Sequence, residues 1–201
     1  MIVLVALVAA TLTFRALGAL GVRRFARWPV SAAHGMAVML LLTASAHFVP
    51  AGVTVMPNHA DMVRMVPEFL PFADALVYLT GVLELLGALG LVLTATRWAA
   101  GYALAALFVA MLPANIYAAV ENVAFANGEP VTPLWQRIPE QILYVGVVLW
   151  AARSADSTPV RRLLASLRRH PSEPAAPATP TEPTPTQPTP TEPTPTAPVN
   201  H

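Results

Sequence analysis

Apolar residues run along the chain in long unbroken blocks, with neither the alternation of strands nor the one-sided stripe of soluble helices. Five stretches are long enough, or nearly so, to read as membrane helices: roughly 2–21, 31–49, 74–94, 98–120 and 137–152. A span needs about 20 apolar residues, so the last, at about 16, starts within the interface. The predicted fold class is all-α: an integral membrane four-helix bundle over 31–153, with an extra N-terminal transmembrane helix and cytoplasmic loop over 1–30. The first stretch lacks a basic start, and Arg23, Arg24 and Arg27 follow it, so it reads as a retained span rather than a signal peptide. Arg15 sits within snorkelling reach of its Arg-rich end.

Single polar residues interrupt these blocks. His47 ends the second stretch, Glu84 lies about 15 Å inside the third at 1.5 Å per residue, Asn115 is near the end of the fourth, and Gln141 is near the start of the fifth. Arg137 lies one turn before Gln141 on the same face. An ionisable group in a bilayer costs roughly 2.5–3.5 kcal/mol on insertion scales, so such groups face a bundle interior or a cavity. Laid out by depth, all of these residues gather in one leaflet although their helices cross in both directions. They form the predicted ligand pocket: His47, Glu84, Asn115, Arg137 and Gln141. A purely structural role stays open for each. Glu84 could tie helices, Asn115 could satisfy the carbonyl near Val109 that Pro113 frees, and Arg137 could reach toward Glu84 or anchor to headgroups. Glu140 falls beside that face and is expected to be exposed at the interface.

The connecting segments add a topology. With the 22–30 loop inside, Arg97, Arg153, Arg161, Arg162, Arg168 and Arg169 join Arg23, Arg24 and Arg27 on the cytoplasmic side, and only Arg64 and Arg137 lie outside. The N-terminus is then outside and the C-terminus inside. Residues 50–73 carry Pro57, Pro67 and Pro71 around a short apolar segment. They are expected to form an amphipathic helix over the outer surface, either as a lid or as a plain connector. Gly81, Gly87 and Gly90 are expected to let other helices approach closely. Residues 154–201 are a Thr/Pro-rich segment with four pentapeptides in register, TPTEP, TPTQP, TPTEP and TPTAP. Pro at this density favours polyproline II over helix or sheet, and a disordered cytoplasmic tail is expected.

Composition narrows the chemistry. Of the 201 residues, 55% are hydrophobic and 11% charged, mean hydropathy is +0.55, and all twelve basic residues are Arg. Soluble domains run at about 25% charged. A bacterial plasma-membrane location is the expectation, with the lipid bilayer as first partner. A net charge of +1 offers no basic face for nucleic acid. The absence of Cys removes disulfide shuttling, thiolate catalysis, Cys-ligated clusters and covalently attached haem. His34 and His47 lie on one helix, which disfavours axial haem ligation, and no metal cluster is visible in the pattern.

Ala46-His47-Phe48, Met56-Pro57, Leu70-Pro71, Thr80-Gly81-Val82-Leu83-Glu84, Gly87-Ala88, Pro113-Ala114-Asn115-Ile116 and Arg137-Ile138-Pro139-Glu140-Gln141 occur in that order. In these motifs residues 31–152 resemble the DoxX family of small bacterial membrane proteins. Glu140 departs from the pattern, standing where the family usually has an apolar residue. The resemblance implies a four-helix membrane bundle, with the first span as an addition. It also implies an accessory subunit that binds a quinone-like or other small apolar ligand and takes electrons from a membrane or cytoplasmic oxidoreductase partner. Some relatives are subunits of quinone-reducing oxidoreductases. A catalytic quinone-linked subunit and an assembly scaffold remain alternatives. No cofactor motif is evident, and a quinone is the one cofactor the resemblance suggests.

Overall fold

A computed structural model of the protein describes residues 2–155. The expected disordered tail and Arg161, Arg162, Arg168 and Arg169 lie outside the described residues. Within them the chain is helical, with six α-helices and no strand longer than the isolated Ala124–Pro130 bridge. The helices are α1 (Ile2–Ala19), α2 (Trp28–Ala46), α3 (His59–Arg64), α4 (Ala73–Val92), α5 (Arg97–Val120) and α6 (Leu134–Ala152). A 3-10 turn (Arg23–Phe25) joins α1 to α2. Among these, α1, α2, α4 and α5 are long and apolar enough to cross a membrane. At 19 residues α6 is as long as α2. Gln136, Arg137, Glu140 and Gln141 make its first two turns polar.

The helices α2, α4, α5 and α6 pack in a closed ring, each against the next, and α1 lies outside the ring against α2. The central position of α2 explains its burial. Met36, Leu40 and Ala44 are sealed from solvent, while α1 contributes only Leu7 to the buried core. Elsewhere α1 exposes Ile2, Val5, Val8 and Leu12, an apolar surface suited to lipid.

Close helix approach rests on glycine. A Cβ on Gly81 would stand 2.6 Å from the Cβ of His47, one on Gly90 2.6 Å from the Cβ of Ala100, and one on Gly87 would collide with Leu104. The three expected positions therefore do bring α4 against α2 and α5. Gly101 of α5, absent from that expectation, is tighter in kind: its Cβ would press the Val148 carbonyl of α6 at 2.6 Å. Backbone cannot swing aside as a side chain can.

The two ends of the bundle differ. At one end Arg97, 1% exposed, donates from Nε to the Leu91 carbonyl at 2.7 Å and from Nη2 to the Val92 carbonyl at 3.2 Å. Arg24 donates to the same Val92 carbonyl at 2.9 Å. These carbonyls end α4 and have no intrahelical partner, and two cations there complement its dipole. The Arg15 guanidinium lies over the Trp28 ring, 5.3 Å from its centroid, so the side chain ends on an aromatic face. His34 is enclosed nearby by Phe14 and Phe25, with ring centroids 5.3 and 4.9 Å away. The opposite end carries the two long loops, 47–72 and 121–133.

Gly101→Ala is expected to destabilise the detergent-solubilised protein by about 1–3 kcal/mol through overpacking. Gly146→Ala, whose Cβ meets nothing within 4 Å, should be neutral or slightly stabilising, because Ala is the better helix former. Thermal unfolding followed by circular dichroism compares the two.

Candidate functional site

A cavity of about 590 Å³ opens within the bundle beneath the two long loops. All five residues predicted for the pocket line it: His47, Glu84, Asn115, Arg137 and Gln141. Its size falls in the range of small-molecule sites, roughly 300–1,000 Å³.

On the α2–α4 wall, Glu84 is 3% exposed and turned inward. Thr43 donates from Oγ1 to Glu84 Oε2 at 2.7 Å. Thr43 and His47 are one turn apart and so share a face of α2. His47 Nδ1 faces the Val77 carbonyl at 2.8 Å. A carbonyl only accepts, so Nδ1 carries the hydrogen. In the neutral ring Nε2 is then bare, and it faces Glu84 Oε1 at 3.7 Å. The overall-neutral pair therefore holds one transferable proton, either on the carboxyl or on the ring. Gly81 makes this possible, since any side chain there would displace the imidazole.

The α5–α6 wall is built from amides and a cation. Arg137 donates from Nη2 to Asn115 Oδ1 at 2.6 Å, and Asn115 Nδ2 donates to the Met111 carbonyl at 3.0 Å. Asn115 thus bonds a carbonyl one turn back rather than the Val109 carbonyl that Pro113 frees. Gln141 Nε2 donates to the Phe108 carbonyl at 2.6 Å, next to the carbonyl left free by the proline. Arg137 reaches sideways to α5, and it acts on Glu84 through space, without a direct ion pair. Glu140 corrects the expectation of exposure: it is buried and accepts from Gln136 Nε2 at 2.8 Å. A carboxylate with an amide one turn earlier on its helix can be drawn into the bundle, which the lone departure from an apolar pattern did not reveal.

The roof comes from both loops. The short helix expected in 50–73 is α3, which exposes Arg64 but turns Asp61 inward. Asp61 is 0% exposed and works as a staple. It accepts from the Asn58 N–H at 3.1 Å in a capping box, from the Ala126 N–H at 2.9 Å and from Arg64. The Ala126 bond ties the first loop to the second. His59 fixes the base, with Nδ1 2.8 Å from the His47 carbonyl and Nε2 3.1 Å from Asp74 Oδ1. Met56, Met62 and Met65 line the cavity from the first loop, and Phe125 and Val131 from the second.

Several lining residues were not anticipated. Thr43 was detectable as a polar residue four before His47, and Tyr144 as the next position on the Arg137–Gln141 face. Ile2 and Val3 of α1 also reach the cavity, and nothing local in their apolar run signals it. Asp61→Ala is expected to cost at least about 2 kcal/mol, because two backbone N–H groups and a guanidinium lose a charged acceptor. It should also free the 121–133 loop, read as faster amide exchange at Ala126 than in the wild type.

No curated protein and no solved structure is significantly similar to the chain. One family model matches residues 36–155, starting inside α2 and so leaving α1 outside the match. It carries the description Domain of unknown function (DUF8561). With more than half of its length covered by that model, the chain belongs to this family.

Proposed function

We propose that the protein is a five-span membrane protein of the DoxX type that binds a small, largely apolar molecule, such as a quinone headgroup, in the cavity under its outer loops. The observation that carries this reading is the convergence of all five polar interruptions on one ligand-sized space. The Thr43–Glu84–His47 group supplies a proton-holding wall. The Arg137–Asn115–Gln141 group supplies an orienting one. Any electrons come from a partner protein, and the subunit is accessory rather than catalytic by itself. With the Arg-rich end in the cytoplasm of a bacterial cell, the cavity lies in the outer leaflet and both long loops face outward.

A second reading, an assembly scaffold, draws on a specific feature. Asn115, Arg137 and Gln141 already bond one another or the backbone between α5 and α6, so they could serve only to hold helices together.

Mild-detergent purification followed by mass spectrometry of extracted small molecules separates the two. Wild-type protein is expected to retain an apolar compound, and His47→Leu/Glu84→Leu to lose at least about tenfold of it. Removing both members of a buried polar pair together is often neutral for stability, so the variant should remain folded. Equal retention by both, or none by either, removes the ligand reading. The orientation is tested separately on this cysteine-free chain. Ala51→Cys should react with an impermeant maleimide on intact cells and Ala95→Cys should not; the reverse pattern inverts the topology.

A further inference from the structure

The Arg-rich end of the bundle carries charge without a counterion. Among the described residues it holds Arg15, Arg23, Arg24, Arg27, Arg97 and Arg153 and no Asp or Glu. Every described carboxylate belongs to the two long loops, to the helix turns that flank them or to the cavity lining. Arg24 Nη2 and Arg97 Nη2 lie 2.9 and 3.2 Å from one oxygen, the Val92 carbonyl, so these two nitrogens stand no more than about 6 Å apart. Arg27 acts on Arg97 through space as well. Like charges gathered in this way create a positive potential that draws an anion. Arg97 is buried, whereas Arg23, Arg24 and Arg27 are exposed. The α1–α2 turn is therefore where that potential meets the surroundings.

The turn is built to hold its shape. Phe25 is wedged between Phe14 and His34, with ring centroids 4.8 and 4.9 Å away. Its carbonyl accepts from Ser31 Oγ at 3.0 Å, its N–H donates to the Val22 carbonyl at 2.9 Å, and any side chain at Gly18 would collide with that Phe25 carbonyl. Three arginines within five residues are thus presented from a fixed backbone, which lowers the ordering cost of binding. Arg24 spends a donor on Val92, and the Arg23 and Arg27 side chains make no hydrogen bond among the described residues. A guanidinium offers five donors in a planar fork that matches phosphate oxygens.

The depth is right for a lipid headgroup. Trp28, Trp98 and Trp150, from three different helices, are exposed at this end, and Trp is enriched at the headgroup level of membranes. Leu17 and Leu20 before the turn, and Leu89 and Leu93 at the end of α4, are exposed apolar neighbours at the same end. We infer that the α1–α2 turn is a binding site for an anionic phospholipid, whose phosphate is held by Arg23, Arg24 and Arg27 and whose chains lie on the apolar helix surface beside them. The site stands at the opposite end of the bundle from the cavity and does not rest on the ligand reading. It belongs to a segment that precedes the residues matched by the family model.

The test titrates phosphatidylglycerol or phosphatidylcholine into full-length protein in mild detergent and counts retained lipid by native mass spectrometry. Wild type should bind phosphatidylglycerol at least about tenfold more tightly. Each basic residue at an anionic lipid surface is worth roughly a factor of five, so Arg23→Gln/Arg27→Gln should lose about twentyfold of that affinity and leave phosphatidylcholine unchanged. Arg153→Gln, at the same end on α6, should change it less than about twofold. Equal wild-type affinity for the two lipids overturns the inference, as does phosphatidylglycerol binding that survives in the double variant. An equal loss in Arg153→Gln also overturns it, because the charge of the whole end would then suffice without a site. A second measurement needs no variant: phosphatidylglycerol should shield Arg23 and Arg27 of the wild type from phenylglyoxal and leave Arg153 reactive, and unchanged labelling of Arg23 and Arg27 overturns the inference.

Discussion

A carboxyl group among apolar helices has no water to solvate it, and the upper half of this molecule is arranged around that fact. Glu84 sits inside a helix with no cation of its own, so its partners come from α2: the Thr43 hydroxyl and the His47 ring. Those partners reach it only because Gly81 lets α2 and α4 close to contact distance. The carboxyl, the imidazole and the glycine are one unit spread over two helices. Its satisfaction sets the spacing of the wall that the cavity opens against. The opposite wall follows the same rule with different chemistry. Pro113 disturbs α5, and amides from α5 and α6 supply the bonds there.

Much of this was readable from residue order. Long apolar blocks announce helices because only a helix satisfies its own backbone in lipid, and the observed helix limits differ from the expected ones by a few residues at either end. The five pocket residues were found because a polar group in such a block needs a reason to be there. Depth along each block, counted at a fixed rise per residue, then placed them at a common level.

What escaped the sequence lay where no periodic pattern exists. The segment 50–73 was expected to lie as an amphipathic helix on the surface, yet its Asp61 is fully buried, because its partners include a backbone N–H from residue 126, 65 positions away. Glu140 is a different case: it looked exposed and is buried, although its amide partner stands only one turn before it on the same helix. The 121–133 loop carried no signal of its role as half of the roof. Gly81, Gly87 and Gly90 were read as points of close helix approach on α4, but Gly101, whose Cβ would press a backbone carbonyl, depends on a pairing of α5 with α6 that residue order alone does not specify.

The arginine clasp at the far end has a consequence for transport. Arg24 and Arg97 converge on the last turn of α4, and Leu40, Leu91, Leu104 and Val148 fill the bundle interior with no exposed surface to speak of. The hollow is therefore a cul-de-sac in this conformation. A path along the bundle axis from the cavity to the Arg-rich end is blocked by these side chains. The space is a one-ended hollow, walled on its sides by four helices and stopped at its base by packed aliphatic side chains.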